Sequence, residues 1–248
     1  MRQSNYYVIL FSVILTVVLG GLLAATSEGL GPIQQKSIEL DTKKQILGAV
    51  VEVTPEMDVI ETYSKAIKSE VVDYSGNTVA EDSEGNKIVA EDVNVEKQFD
   101  KDPEERLYPV FKFYGKEGGE EIESYILPVY GNGLWDNIWG YIALDTEGKT
   151  IKGAVFAHAG ETPGLGARIT EDEVQARFQG KKLYNDQGEL VSVQMLKGES
   201  NPESKLDEHH VDGMSGATIT GNGLNAMLKN YFKHYQSYFN KKGATATL

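Results

Sequence analysis

The chain reads as an α+β protein: a twisted, mostly antiparallel sheet flanked by helices and preceded by one transmembrane helix. Three observations predict this. Tyr7 to Ala25 is a run of apolar, small and hydroxyl residues without a charge, long enough at ~1.5 Å per residue to cross a bilayer core of about 30 Å. Between residues 106 and 200, short apolar runs alternate with turn residues. Finally, Leu224, Met227, Leu228, Tyr231, Phe232, Tyr235, Tyr238 and Phe239 mark one face of a terminal helix at 3.6-residue spacing.

Taken in order, residues 1–6 form a short N-terminus and 7–25 the span. Tyr6 and Tyr7 stand where an interfacial aromatic anchor belongs, and Arg2 places the N-terminus in the cytoplasm by the positive-inside rule. A cleaved signal peptide is the other reading. The apolar run is longer than a usual signal core, however, and no small-x-small site closes it. Either way the bulk of the chain is exported.

Behind the span, Gly29-Leu30-Gly31-Pro32 predicts a helix break, with helix resuming near 39–49. Residues 26–105 are expected to form a membrane-proximal segment and an appended α/β layer. Within it, Thr78–Asp82 and Lys87–Asp92 nearly repeat around Gly85-Asn86, which predicts a hairpin. Strands follow at 108–114, 124–130, 141–145, 150–158 and 191–197 in a domain spanning 106–242. A short helix over 174–178 is expected to be capped by Thr170, with Glu173 three residues on.

Composition narrows the chemistry. The net charge of −13 repels phosphate backbones, so no nucleic acid is expected as a partner. There is no cysteine, which excludes disulfides, thiolate metal sites and the usual protein-ligated iron–sulfur clusters. His158, His209, His210 and His234 do not fall at metal-ligand spacings, so no metal site is expected. No nucleophile triad or general base is evident, and no glycine fingerprint for a dinucleotide follows a strand. Any electrons this protein moves ride on a bound organic cofactor.

Two segments carry the chemistry. Asp212-Gly213-Met214-Ser215-Gly216-Ala217-Thr218-Ile219-Thr220 opens the terminal helix, where backbone N–H groups and the helix dipole favour a phosphate. The same cluster also suits an ordinary Ser/Thr helix cap. His158-Ala159-Gly160-Glu161-Thr162-Pro163-Gly164-Leu165-Gly166 is a rigid, close-approach loop. In order and type, Asp-x-x-Ser-Gly-Ala-Thr resembles the motif on which a flavin transferase esterifies FMN to a threonine hydroxyl. The glycine-rich loop resembles the flavin-contacting loop of the same family. Pro128 to Trp135, running into Trp139-Gly140-Tyr141, is similar to a segment of one of its branches. The chain thus resembles the FMN-binding domain family, in the NqrC branch found in Na⁺-translocating NADH:quinone reductases.

That resemblance implies FMN joined covalently, as a phosphoester, to Thr218. Ser215, Gly216 and Ala217 would shape the phosphate end, and Asp212 would position the motif for the transferase or cap the turn. Glu161, Thr162, Gly164, Leu165 and Gly166 would lie along the ring, with Thr162 and Leu165 touching it. His158 would orient Glu161 or serve the structure alone; Lys197, ending a strand just upstream, is read either as a charge near the N1/O2 edge, where it favours the reduced anion, or as a solvated strand-end lysine. Trp135 and Trp139 would stack on a ring or a partner, or pack in the core.

The implied role is an electron relay in an ion-translocating oxidoreductase, with no catalytic residue of its own. Its partners would be the other membrane subunits, including a second flavin carrier, a flavin transferase, and the bilayer. The implied site is the bacterial inner membrane, with the soluble domain periplasmic. A ferredoxin:NAD⁺ (Rnf-type) relay and a non-redox anchored binding module are the alternatives.

Overall fold

The computed structural model describes residues 4–245, so Arg2 lies outside the described residues. Two compact units emerge, Met1–Thr42 and Lys43–Leu248. Helix α1 runs unbroken over Asn5–Gly48 and is long and apolar enough to cross a membrane. The hydroxyls of Ser12, Thr16 and Thr26 donate to the carbonyls of Val8, Ser12 and Leu22, which removes polar groups from an apolar surface. The break expected at Gly29–Pro32 does not occur: Pro32 lies inside the helix. One proline forfeits one N–H bond and costs about 3 kcal/mol. Turns on both sides absorb that cost, and the neighbouring Gly29 and Gly31 bring no side chain against the ring.

In the second unit, α2 (Val59–Ala66) is capped by Asp58, whose carboxylate accepts the Glu61 N–H at 3.0 Å. It leads directly into β1 (Ile67–Val72). A short α3 (Val95–Phe99), capped by Asn94, precedes β2 (Tyr108–Phe113), β3 (Ser124–Asn132), β4 (Asn137–Leu144) and β5 (Ile151–His158). Then come α4 (Asp172–Ala176), the two-residue strands β6 (Gln194–Met195) and β7 (His210–Val211), and α5 (Thr218–Thr245).

The five long strands form an antiparallel meander in the order β1-β2-β3-β4-β5. A recurring turn supports the chain reversals. At Asp73–Asn77, Asp82–Asn86, Asp145–Lys149 and Asn185–Glu189, the first side chain accepts the N–H of the fifth residue. The fourth residue is a left-handed glycine in each case.

β3 is buried along nearly its whole length, and this explains its continuous apolar sequence. On one face lie Tyr125, Leu127 and Val129, in one core with Leu224, Leu228, Tyr231 and Tyr235 of α5. Ile46, Leu47, Val59 and Tyr63 are buried in a smaller second layer. The Tyr235 hydroxyl donates to the Pro109 carbonyl (2.8 Å), and the Tyr238 hydroxyl to Glu70 (2.5 Å), which also pairs with Lys112. The aromatic stripe of α5 therefore does two jobs: it fills the core and ties the helix to β1 and β2.

Four sequence expectations need correction. β1 hydrogen-bonds along β2 from Ile67–Phe113 to Val72–Tyr108, so the sheet crosses the boundary expected at residue 105. The 78–92 hairpin keeps its turn but reduces to single bridges, Val72–Thr78 and Glu81–Lys87, and Ala90–Asp92 curls into a 3₁₀ turn. The expected strand 191–197 shrinks to β6, because Ser192 takes a left-handed conformation (φ 64°) and the N–H groups of Val191 and Ser192 both bind the Leu183 carbonyl. Thr170 does not cap α4: it ends a 3₁₀ turn, Gly166–Thr170, and its hydroxyl donates to Ala167.

Leu127 is fully buried between helix and sheet. Leu127→Ala is expected to lower unfolding free energy by about 2–5 kcal/mol, and Leu127→Met by less than about 1.5 kcal/mol, read by denaturant melts of the full chain in detergent.

Candidate functional site

The Asp212–Ala217 segment forms a tight turn that delivers the chain into α5. Ala217 N–H donates to the Met214 carbonyl (3.3 Å), and Gly216 sits left-handed at φ 72°. A Cβ at Gly216 would also press on Leu165 at 2.8 Å, so the turn and the glycine-rich loop are in contact here. Ala217 occupies the cap position, since its carbonyl accepts the first helical N–H, from Gly221 at 3.0 Å. It has no side-chain oxygen to offer. Among the described residues, no side-chain oxygen caps the N–H groups at the start of this 28-residue helix. The Thr218 hydroxyl, half-buried in the first turn, finds no hydrogen-bond partner among the described residues. Ser215 is exposed.

Thr220 behaves differently. It is 1% exposed, and its hydroxyl donates to Glu161 at 2.5 Å. Glu161 is itself only 4% exposed, and its other oxygen accepts the N–H groups of Leu134 (2.8 Å) and Trp135 (2.9 Å). Burial pushes the Glu161 pKa up, but the bonds from Thr220 and from the Trp135, Leu134 and Asp136 amides outweigh it and hold the carboxyl below the usual range. The backbone is drawn tightly around this charge: a Cβ at Gly166 would collide with both the Glu161 carboxylate and the Thr220 hydroxyl. Glu161 therefore faces inward, away from any ring on the loop's outer side. His158 Nδ1 accepts the Glu161 backbone N–H at 3.3 Å, so it orients the main chain at that residue.

A second knot lies on the other side of the turn. Glu199 receives both terminal nitrogens of Arg168 at 2.9 Å, one of Arg177 at 3.2 Å, and the Ser215 N–H at 3.4 Å. These guanidinium contacts lower its pKa to about 2. Arg177 also donates to the Gly213 carbonyl at 2.6 Å. Asp212 accepts N–H groups from Ser200, Asn201 and Gly213 together with the Asn201 amide. Burial opposes ionisation of Asp212, yet these bonds hold its pKa below the usual range. Asp212 thereby ties the start of the turn to the Ser200–Asn201 segment. Asn225 of α5 brackets Met195 through both its N–H and its carbonyl, which pins β6 to the helix.

Thr162, Gly164 and Leu165 are exposed beside the acceptor turn, whereas Gly166 and Ala217 are buried beneath it. Lys197 is exposed at the end of β6, and its ammonium makes no ion pair among the described residues. Trp135 is 71% exposed next to the Glu161 knot, while Trp139 stacks on Tyr130 at the core. Sequence reasoning missed Thr220 as a link, and it missed Arg168, Arg177, Glu199 and Asn225. The ion pairs of Arg168 and Arg177 with Glu199 and the hydrogen bonds of Asn225 with Met195 join positions up to 31 residues apart, which no local spacing shows. A cleft of about 1400 Å³ lies elsewhere, lined by Tyr125, Asp145, Lys149, Tyr184 and Lys242.

Residues 133–233 match the family model of the FMN-binding domain. The C subunit of the Na⁺-translocating NADH-quinone reductase of Vibrio anguillarum is 33% identical over 90% of this chain and 87% of its own. The corresponding protein of Haemophilus ducreyi is 32% identical over 94% of this chain and 93% of its own. Among solved structures, the C subunit of the same reductase from Parabacteroides distasonis aligns with a TM-score of 0.68 at 33% identity, covering 85% of this chain and 96% of that one. NqrC of Shewanella oneidensis aligns with the same TM-score at 28% identity, covering 84% and 99%.

The Glu199 knot has an acid signature. Its folded pKa of about 2 lies below the ordinary 4.5, so its contribution is full above about pH 4.5 and is lost as pH falls toward 2. Glu199→Gln is expected to flatten the stability-versus-pH slope across that window, measured by thermal melts. An unchanged slope would contradict the assignment.

Proposed function

The chain belongs to the NqrC family, the C subunits of Na⁺-translocating NADH-quinone reductases, and from that premise we propose that it relays electrons through FMN esterified to Thr218. The observation that carries the reading is the bare start of α5. A threonine hydroxyl without a partner among the described residues stands in the first turn of a long helix whose cap residue, Ala217, has no side-chain oxygen, and Gly216 leaves the approach open. An ordinary cap would use these hydroxyls. Here Thr220 turns inward and Thr218 is left available.

In this reading, Thr218 holds the phosphate, and Ser215 and Gly216 line its approach with Ala217 packed beneath. Thr162, Gly164 and Leu165 offer the ring a wall on the exposed side of the loop, and Lys197 supplies a positive charge nearby. Gly166 and Glu161 work from below. Bound FMN would supply reversible redox chemistry, and the chain's own residues bind and orient it. Attachment balances with a flavin dinucleotide donor. The Thr218 oxygen bonds to the flavin-side phosphorus, the pyrophosphate P–O bond breaks, and a nucleoside monophosphate leaves. The hydroxyl proton passes to a base or to that leaving group.

Placement follows from the same premise. The single apolar helix anchors the chain in the bacterial inner membrane, with the N-terminus cytoplasmic and the FMN domain periplasmic. The partners are the other reductase subunits, including a second flavin carrier, and a flavin transferase for maturation. A dissociable FMN outside the cytoplasm would be lost by dilution, and a phosphoester removes that loss.

Two measurements test this. Co-expressed with a flavin transferase, the chain is expected to gain the mass of one FMN less water on the Thr218 peptide, and Thr218→Val is expected to gain nothing. An unmodified Thr218 would sink the reading. A phosphatase reporter fused behind the C-terminus is expected to be active only if that end is periplasmic, and an inactive but expressed fusion would reverse the orientation.

A further inference from the structure

We propose that the buried Glu161–Thr220 pair is a positioning device that turns the Thr218 hydroxyl outward for flavin attachment. This inference rests on the reading of Thr218 as the acceptor. Thr220 and Thr218 are two residues apart in the first turn of α5. At 3.6 residues per turn, two residues rotate the helix surface by about 200°. With Thr220 held inward by its 2.5 Å bond to Glu161, Thr218 is directed to the opposite side.

The anchor is built to be stiff. Glu161 collects its donors from two separate segments: the Leu134–Trp135 turn and α5. Gly166 passes so close to both members of the pair that a Cβ would not fit. A core needing only to be filled would place an apolar residue at both positions and avoid burying a charge. Instead, the ionised carboxylate fixes the helix's rotation against the loop whose next residues face the flavin. Leu165, four residues after Glu161, reaches Gly216, so the same loop sets the wall of the approach. Glu161 and Thr220 touch neither donor nor phosphate; they act through the orientation of Thr218.

The test uses the full-length chain in detergent, a purified flavin transferase and flavin adenine dinucleotide, with attachment followed by intact mass at varied acceptor concentration. Thr220→Val removes the link with little change of volume, and Thr220→Ser keeps it. Thr220→Ala is a second hydroxyl-free variant should the valine fold poorly. Both hydroxyl-free variants are expected to lose at least about tenfold in kcat, with KM within about twofold, because misdirection and not docking is at fault. Thr220→Ser is expected to retain the unaltered rate. Hydrogen exchange, read without any flavin, is expected to rise at the Gly221 amide, the first with a helical partner, in the hydroxyl-free variants alone.

Three results overturn the proposal. In the first, the hydroxyl-free variants are modified at the unaltered kcat. In the second, Thr220→Ser is as slow as Thr220→Val. Either of these, beside an unaltered chain that is modified, defeats this inference alone. In the third, the unaltered chain gains no FMN, and the functional reading falls together with the inference.

Discussion

One buried carboxylate organises the functional end of this molecule. Glu161 sits in the interior, where an ionised group costs several kcal/mol unless it is fully hydrogen-bonded. It remains ionised because a hydroxyl and backbone amides converge on it. The dependence runs both ways. Removing any donor leaves charge unmatched, so the Gly133–Trp135 turn, the glycine-rich loop and the start of α5 hold one another in place. The glycines at 133 and 166 follow from the same constraint, since side chains there would strike the carboxylate.

The Arg168–Glu199–Arg177 cluster complements this from the solvent side. It is partly exposed, so its worth lies less in stability than in geometry: paired guanidinium contacts fix the direction of Glu199, which accepts the Ser215 N–H, and Arg177 holds the Gly213 carbonyl. The turn before α5 is thus gripped by an interior carboxylate on one side and an ionic lattice on the other. Between them, Ser215, Gly216 and Thr218 are left accessible. Exposed Leu134, Trp135, Leu165 and Ile219 around this end leave apolar surface beside the acceptor.

Much of this was legible in the sequence, for identifiable reasons. β2 to β5 and the stripe of α5 announce themselves through apolar runs, turn residues and helical spacing, all of them local signals. The Asp212–Thr218 turn and the glycine-rich loop stood out as motifs. What failed was what tertiary contacts decide. Pro32 looked like a stop because the cost of a proline is local, whereas its tolerance depends on the helix around it. Val191–Lys197 looked like a strand, yet Ser192 turned left-handed to let two amides share the Leu183 carbonyl. Ile67–Val72 gave no sign of pairing with Tyr108–Phe113, some forty residues on. The inward turn of Glu161 was not legible, because its partner Thr220 lies 59 residues away.

The most direct test of the central claim is the phosphorus itself. A ³¹P spectrum of the purified, flavin-loaded chain distinguishes an ester to threonine from a bound free phosphate. FMN held as a phosphodiester on Thr218 has no protonation step near neutrality. Its single resonance should therefore stay fixed between about pH 5 and 8, whereas a monoester titrates near pKa 6. A resonance that moves through that range, or one released from the protein on unfolding, would contradict covalent attachment at Thr218.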